Sequence, residues 1–269
     1  MTLPNHIVFS VDLEPNLDGG LRGIREVMDW FSNTIPQGTV FTTHRIATEI
    51  PGLISELADQ HEIGVHVHPK EFGYDHDQLA ELPPNVQSEV ISSTRGAIAD
   101  AIGVDPDSIR SFRAGRHSAS EATIEILRDL GFLVDASVNM RYTQHLPSSI
   151  TQRSKPFNWD GIFEIPTTFD KIPLFSRYGL RGTVTATANT LKTDRLLCSG
   201  TKAIKYLLSA TDFVSFYMHP FDAISNNNQG GAEFRQRVER LFSTSDDKIQ
   251  YITASEYARL RLDSLSSEH

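Results

Sequence analysis

The sequence predicts an α/β fold, a barrel of parallel strands with helices between them. Three observations lead there. Short apolar runs rich in β-branched and aromatic residues alternate with amphipathic stretches, the pattern of βαβ units. The first run is followed by SVDLEPNLDGG, which has neither the G-x-G-x-x-G spacing nor the G-K-[ST] of a phosphate loop. A nucleotide-binding, doubly wound sheet thereby loses its usual signature, and a barrel fits better. Finally, reactive side chains gather at successive strand ends, where barrels of this kind keep their chemistry.

The elements follow in order. His6–Asp12 (HIVFSVD) is the first strand, and a helix near Gly23–Asn33 follows, with Ile24, Val27, Met28 and Phe31 at helical spacing. Thr39–Thr43 (TVFTT) is the second strand, and PGLISELADQ a helix opened by a proline in its first turn. Glu62–His68 (EIGVHVH) is the third strand, leading to a long helix over Asn85–Ile102. Ile109–Arg113 is the fourth, and its helix begins near Ser118–Glu121, where SASE resembles a capping box. Gly131–Ser137 (GFLVDAS) is the fifth. The rhythm then loosens through the polar, proline-bearing stretch Met140–Trp159 before the strand Ile162–Thr168. Asp212–Met218 and Ile249–Ala254 close the series, separated by a helix near Ala232–Phe242, with a loop at Asn226–Gly231 (NNNQGG) between.

Composition narrows the class. With 269 residues, 39% hydrophobic and 22% charged, the chain reads as one globular domain over residues 1–269. A net charge of −9 argues against a nucleic-acid binder, which needs a basic footprint. The single cysteine, Cys198, rules out an intrachain disulfide and fits a reducing compartment. In LLCSGTKAIKYLL it reads as a packed helix residue. The N-terminal stretch lacks the pattern of a secretory signal, and no run reaches the ~18 apolar residues of a membrane span. The expected location is cytoplasmic. The oligomeric state is not readable.

Asp12 and Glu14 end the first strand two residues apart, so both carboxylates can point into one site. Such a pair is costly unless a cation or proton relieves it; the plain alternative is two solvated loop acids. His66 and His68 end the third strand with the same spacing. Imidazoles joined by a carboxylate suit zinc, cobalt, nickel or iron, and a structural histidine pair is the alternative. His61, at the opposite end of that strand, reads as a supporting or structural residue. The fourth strand delivers Arg113, with Arg116 and His117 beyond it. Arg113 can hold a carboxylate in its charged form, or serve as a simple salt-bridge partner. Asp135 and Ser137 end the fifth strand, where Asp135 could also cap a turn. His219 follows DFVSFYM and has a side chain suited to general acid work, unless it is merely packed ahead of Pro220.

These residues carry a resemblance to the polysaccharide deacetylase superfamily, the NodB-homology or carbohydrate esterase family 4 fold. TVFTTHRIATEIPGLISELADQHEIGVHVH is similar to the family's second-strand-to-histidine segment. SVDLE resembles its Thr-Phe-Asp-Asp motif, FRAGR its Arg-x-Pro, LVDAS its Asp-x-Ser and FYMHP its Leu-x-His. The resemblance implies a distorted (β/α) barrel of about seven strands. Asp12 would be the catalytic base, Arg113 its orienting partner and His219 the catalytic acid. Glu14, His66 and His68 would hold a divalent metal ion, zinc first among the candidates, to deacetylate an amino sugar in a glycan or in a lipid- or nucleotide-linked precursor. Three departures stand out: Leu13 separates the two acids, Lys70 occupies the usual second-histidine position, and Gly115 replaces the proline. The third ligand is then His68, or a residue such as Asp75 or His76 from the loop that follows. A related amidohydrolase acting on a non-sugar amide or cyclic imide, and a decayed carbohydrate-binding protein, are the alternatives.

Overall fold

Successive strand residues point to opposite faces. Along β1 (Asn5–Leu13) this separates Ile7, Phe9, Val11 and Leu13 from Val8, Ser10 and Asp12. The first set packs under the surrounding helices in the main core. There Phe9 meets Phe31, Phe216 and Phe242 at ring separations of 5.6, 4.8 and 5.0 Å. The second set lines the inside of a curled sheet, running from apolar Val8 through Ser10 to Asp12 as the strand rises. That gradient puts the hydrophobic seal at one end and the chemistry at the other.

The computed structural model describes residues 5–175, 180–195, 198–224, 230–242 and 249–266. The remaining strands are β2 (Thr39–Thr42), β3 (Glu62–Val67), β4 (Ser111–Ala114), β5 (Val134–Asp135), β6 (Phe157–Trp159) and β7 (Ile162–Glu164). After them come β8 (Phe169–Phe175), β9 (Leu180–Thr185), β10 (Asp194–Arg195), β11 (Cys198–Ser199), β12 (Phe213–Met218) and β13 (Ile249–Tyr251). Seven parallel strands run in the order β12-β1-β2-β3-β4-β5-β7, with β6 antiparallel at the edge. β13 joins the start of β1, parallel to it.

Among the described residues the sheet does not close by regular pairing. The segment after β7 bridges instead: Ile165 donates to the Asp135 carbonyl, Thr167 to that of Val138, and Thr168 to that of Ser215 on β12. The result is the distorted barrel expected. Its closed end is filled by Val8, Phe41, Val134, Phe163 and Ile165 against Ile252 and against Tyr257 of the helix Ala254–Ser266.

Local chemistry sets the helix ends, sometimes against expectation. The capping box of the helix Glu121–Asp129 uses Ser120 and Thr123, not Ser118 and Glu121. Both boxes are available in SASEAT, and the later one leaves the Ser118 hydroxyl to accept from the Ala80 N–H. Cys198 lies in β11, and the helix starts at Gly200 with Ser199 as N-cap. A short helix, His44–Glu49, begins at the Thr43 cap where no helix is expected. The fifth strand shrinks to two residues. Of the loop expected at Asn226–Gly231, Asn226 to Gln229 lie outside the described residues. Among the described residues no helix is long and apolar enough to cross a membrane.

Candidate active site

Parallel register brings the reactive residues to one rim. His66 on β3 pairs with Arg113 on β4, Asp12 on β1 with Phe41 on β2, and Val11 with Met218 just before His219. A cleft of about 770 Å³ opens above them, with Asp12, Glu14, His66, His68, His117, Tyr217 and His219 in its wall. All six residues expected from the sequence are therefore brought together. Five line the cleft, and Arg113 lies beneath it, where the Phe41 ring supports its guanidinium at 4.3 Å.

Arg113 is 1% exposed and Asp12 2%. The Arg113 Nη1 group donates to Asp12 Oδ1 and to the Ser10 hydroxyl (2.9 Å), and its Nε donates to the Ala136 carbonyl (3.0 Å). Burial works against the Asp12 charge. The Arg113 guanidinium, then His66 and His219, outweigh it and hold the carboxyl below its usual range. Asp12 is thus an ionised base with one oxygen pinned and the other, Oδ2, 3.8 Å from His219 Nε2.

His66 donates from Nδ1 to the Arg113 carbonyl at 2.8 Å, which leaves the Nε2 lone pair facing the cleft. Its Nε2 lies 3.1 Å from His68 Nε2 and 3.8 Å from Glu14 Oε2, and the His68–Glu14 separation is 2.7 Å. Two imidazole nitrogens so close need a proton or a cation between them and the carboxylate. Burial disfavours a charged His68, yet hydrogen bonds to Asp77 and Glu14 push it up to about 10. Burial likewise disfavours the Glu14 charge, but the polar contacts with His66 and His68 outweigh it and hold the carboxyl far below the usual range.

Among the described residues, these three side chains offer donor atoms all within 4.8 Å of one another. Tetrahedral donors about 2.0–2.1 Å from one ion stand about 3.3 Å apart, and the three separations bracket that figure. A second test also favours a cation: the far nitrogen of each imidazole is occupied, by a carbonyl for His66 and by Asp77 for His68 (3.5 Å). That is how metal-bound histidines are oriented. The donor set therefore fits a divalent ion.

His219 lies opposite. Its Nδ1 meets Asp222 Oδ2 at 3.4 Å, and Nε2 faces Glu14 Oε1 at 3.6 Å as well as Asp12. Asp222 is itself held by Lys192 (2.5 Å) and by the His219 backbone N–H (2.8 Å). Burial disfavours the imidazolium, but the Asp222 bond and the Asp12 and Glu14 charges raise its pKa. His219 is thus built to carry a proton.

Other candidates take structural parts. Asp135 accepts from the Ser137 hydroxyl and its N–H, and the Ser137 oxygen accepts from Ala114 (2.8 Å), so this motif ties β5 to the end of β4. Burial raises the pKa of Asp135 and, more strongly, of its cross-strand neighbour Glu164. His61 bonds Ser32 at 3.0 Å, far from the cleft. His117 is kept neutral by burial, at about 3, and its Nε2 accepts from the Tyr217 hydroxyl at 3.2 Å. Asp77 and Asp222 escape sequence reading. Asp222 could have been found from its three-residue offset from His219, at the start of a turn opened by Pro220; Asp77 carries no comparable signal.

Residues 17–134 match the family model described as polysaccharide deacetylase. Asp12, Glu14 and His219 fall outside that segment. No curated protein matches the chain. Among solved structures, a Mycobacterium smegmatis protein classed with the polysaccharide deacetylases aligns at TM-score 0.64 and 17% identity, covering 97% of this chain and 92% of its own. A family 4 acetyl xylan esterase from Clostridium thermocellum, solved with a cobalt ion, aligns at 0.56 and 12%, covering 95% and 91%. A 4-alpha-glucanotransferase from Thermococcus litoralis aligns at 0.61 and 16%, covering 96% of this chain but 40% of its own. At these identities the structures report the fold alone.

Proposed function

Residues 17–134 match the polysaccharide deacetylase family model, and we propose that this chain is a metal-dependent N-deacetylase acting on an amino sugar in a glycan or glycan precursor. The observation that carries this reading is the convergence of the Glu14–His66–His68 donor set with an ionised Asp12 and a proton-bearing His219 around one cleft. Glu14 Oε2 and the Nε2 atoms of His66 and His68 would hold the ion. When bound, it supplies Lewis acidity to the acyl carbonyl, and zinc is the first candidate for the donor set.

The chain's own residues do the proton work. Asp12 Oδ2 takes a proton from the water whose oxygen attacks the acetyl carbon. Arg113 keeps Asp12 ionised beforehand and fixes the angle of its carboxylate. As the C–N bond breaks, His219 Nε2 delivers its proton to the departing amine, so acid and base duties stay on separate groups. Asp222 stabilises the imidazolium until then. Acetate and a free amino sugar result. The whole sequence, 1–269, acts as one catalytic domain in this reading, in the cytoplasm.

A second reading has one observation in its favour: the Glu14–His68 contact at 2.7 Å can be closed by a proton alone. That would suit an amidohydrolase working on a non-sugar amide or imide without a metal. Acetate release distinguishes the two. Wild type and Asp12→Asn are assayed on free, nucleotide-linked, lipid-linked and oligomeric N-acetylated sugars and on small amides and imides. We expect acetate from at least one sugar class and none with Asp12→Asn. Turnover of small amides with no N-acetyl sugar accepted would overturn the proposal.

A further inference from the structure

His68 sits two residues after His66, where the superfamily pattern places its second histidine four residues on, and the glycine at 115 stands where that pattern has proline. The structure joins these two departures. A Cβ built on Gly115 would lie 2.6 Å from the Val67 carbonyl oxygen and 2.9 Å from both Cε1 and Nδ1 of His68. No real side chain tolerates such contacts. Gly115 does not have a positive φ, so it is needed for space rather than for backbone freedom. Any other residue there, proline included, would push the His68 ring out of its place beside Glu14 and His66.

The ring must also be turned the right way. Asp77 Oδ1 lies 3.5 Å from His68 Nδ1, on the side away from Glu14. The carboxylate is anchored independently: the Lys70 N–H donates to Oδ1 at 3.3 Å, and Arg116 Nε lies 3.8 Å from Oδ2. With a proton on Nδ1 shared with Asp77, the Nε2 lone pair is directed at the cleft. Asp77 thus occupies for His68 the place that the Arg113 carbonyl occupies for His66.

We propose that Gly115 and Asp77 are the positioning residues that make His68 the third metal ligand, Gly115 by vacating the space for its ring and Asp77 by fixing its tautomer. The loop after β3 then contributes an orienting carboxylate rather than a ligand. This inference rests on the metal-site reading above, and one experiment separates the two.

Full-length protein, stripped of metal, is titrated with zinc against a chromophoric chelator. The variants are D77A, D77N, G115A, H68A and the G115A/H68A pair. Wild type should bind one ion, and D77A should bind about 10–100-fold more weakly. D77N keeps an acceptor oxygen and should recover most of that loss. G115A should lose about as much as H68A, and the double variant no more than H68A alone. The 15N shifts of His68 in the zinc-loaded protein should show Nδ1 protonated in wild type and mixed tautomers in D77A. Affinity of D77A within about twofold of wild type, with its tautomer unchanged, would overturn the role of Asp77. Losses from G115A and H68A that add would overturn that of Gly115. Should G115A not fold, the G115A/H68A pair decides: folding restored once the ring is removed supports the role of Gly115, and a pair that also fails to fold overturns it. Zinc binding absent from wild type itself would overturn the metal reading, and this inference with it.

Discussion

Replacing Arg113 with methionine keeps a long apolar stem over Phe41 while removing the guanidinium. The Asp12 carboxylate is then left charged in a site where it is 2% exposed. Breaking one side of a buried pair costs about 3–5 kcal/mol, so the metal-free variant should unfold at distinctly lower denaturant than wild type. Adding Asp12→Asn removes the orphaned charge, and most of the loss should return. Denaturation of wild type, both single variants and the double variant gives the coupling directly. The pH dependence supplies a second reading. Without Arg113, the folded-state pKa of Asp12 rises above its unfolded value. Protonation then favours the fold, and the gap to wild type should narrow as pH falls through that raised pKa toward the unfolded value. Losses that simply add, with a gap constant in pH, would refute the claim that Arg113 exists to hold Asp12 ionised.

Three further outcomes follow from the same geometry. Zinc binding should release protons at neutral pH, because the ion-free site holds His68 protonated with a pKa pushed up to about 10. Calorimetry in buffers of different ionisation enthalpy should give different apparent heats, with affinity falling as pH drops; identical heats would contradict this. Asp222→Asn should lower the pKa of His219 and move the alkaline limb of the activity profile to lower pH, while His219→Ala should cost about 10²–10⁴ in kcat. An unmoved limb would remove Asp222 from the account. His117, held neutral at about 3, gains its proton more readily unfolded than folded. The contribution of this group to stability should thus be flat above about pH 6.5 and decline below it, by about 2 kcal/mol at pH 5. Denaturation midpoints compared between wild type and His117→Gln check the size of that contribution.

What could be read from the sequence was whatever depends on period. Alternation along β1, β3, β4 and β12 puts Asp12, His66, Arg113 and His219 on the inner face at strand ends, and parallel pairing does the rest. Glu14 and His68, just past their strands, were legible for the same reason. What could not be read depends on contacts between segments distant in the chain. Asp77 matters only because its loop folds back over His68, and Gly115 only because the His68 ring occupies the room its missing Cβ leaves. Asp135 had the spacing of a site residue, yet its carboxylate satisfies Ser137 instead. The barrel closure through Ile165–Thr168 uses isolated backbone bonds with no periodic trace. Cys198 lies in a strand where the sequence predicts a helix, because apolar spacing continues smoothly from the short strand into the helix and only the Ser199 cap marks the boundary.

The proposed activity requires a metal held by Glu14, His66 and His68 to act with Asp12 and His219 on an N-acetyl group. Its most direct test is acetate release by chelated enzyme, before and after a single divalent ion per chain is restored, on the N-acetylated sugar that wild type accepts. Turnover should be lost on chelation and recover at one equivalent of ion, with no recovery in Glu14→Ala. Undiminished acetate release from rigorously metal-free protein would contradict it.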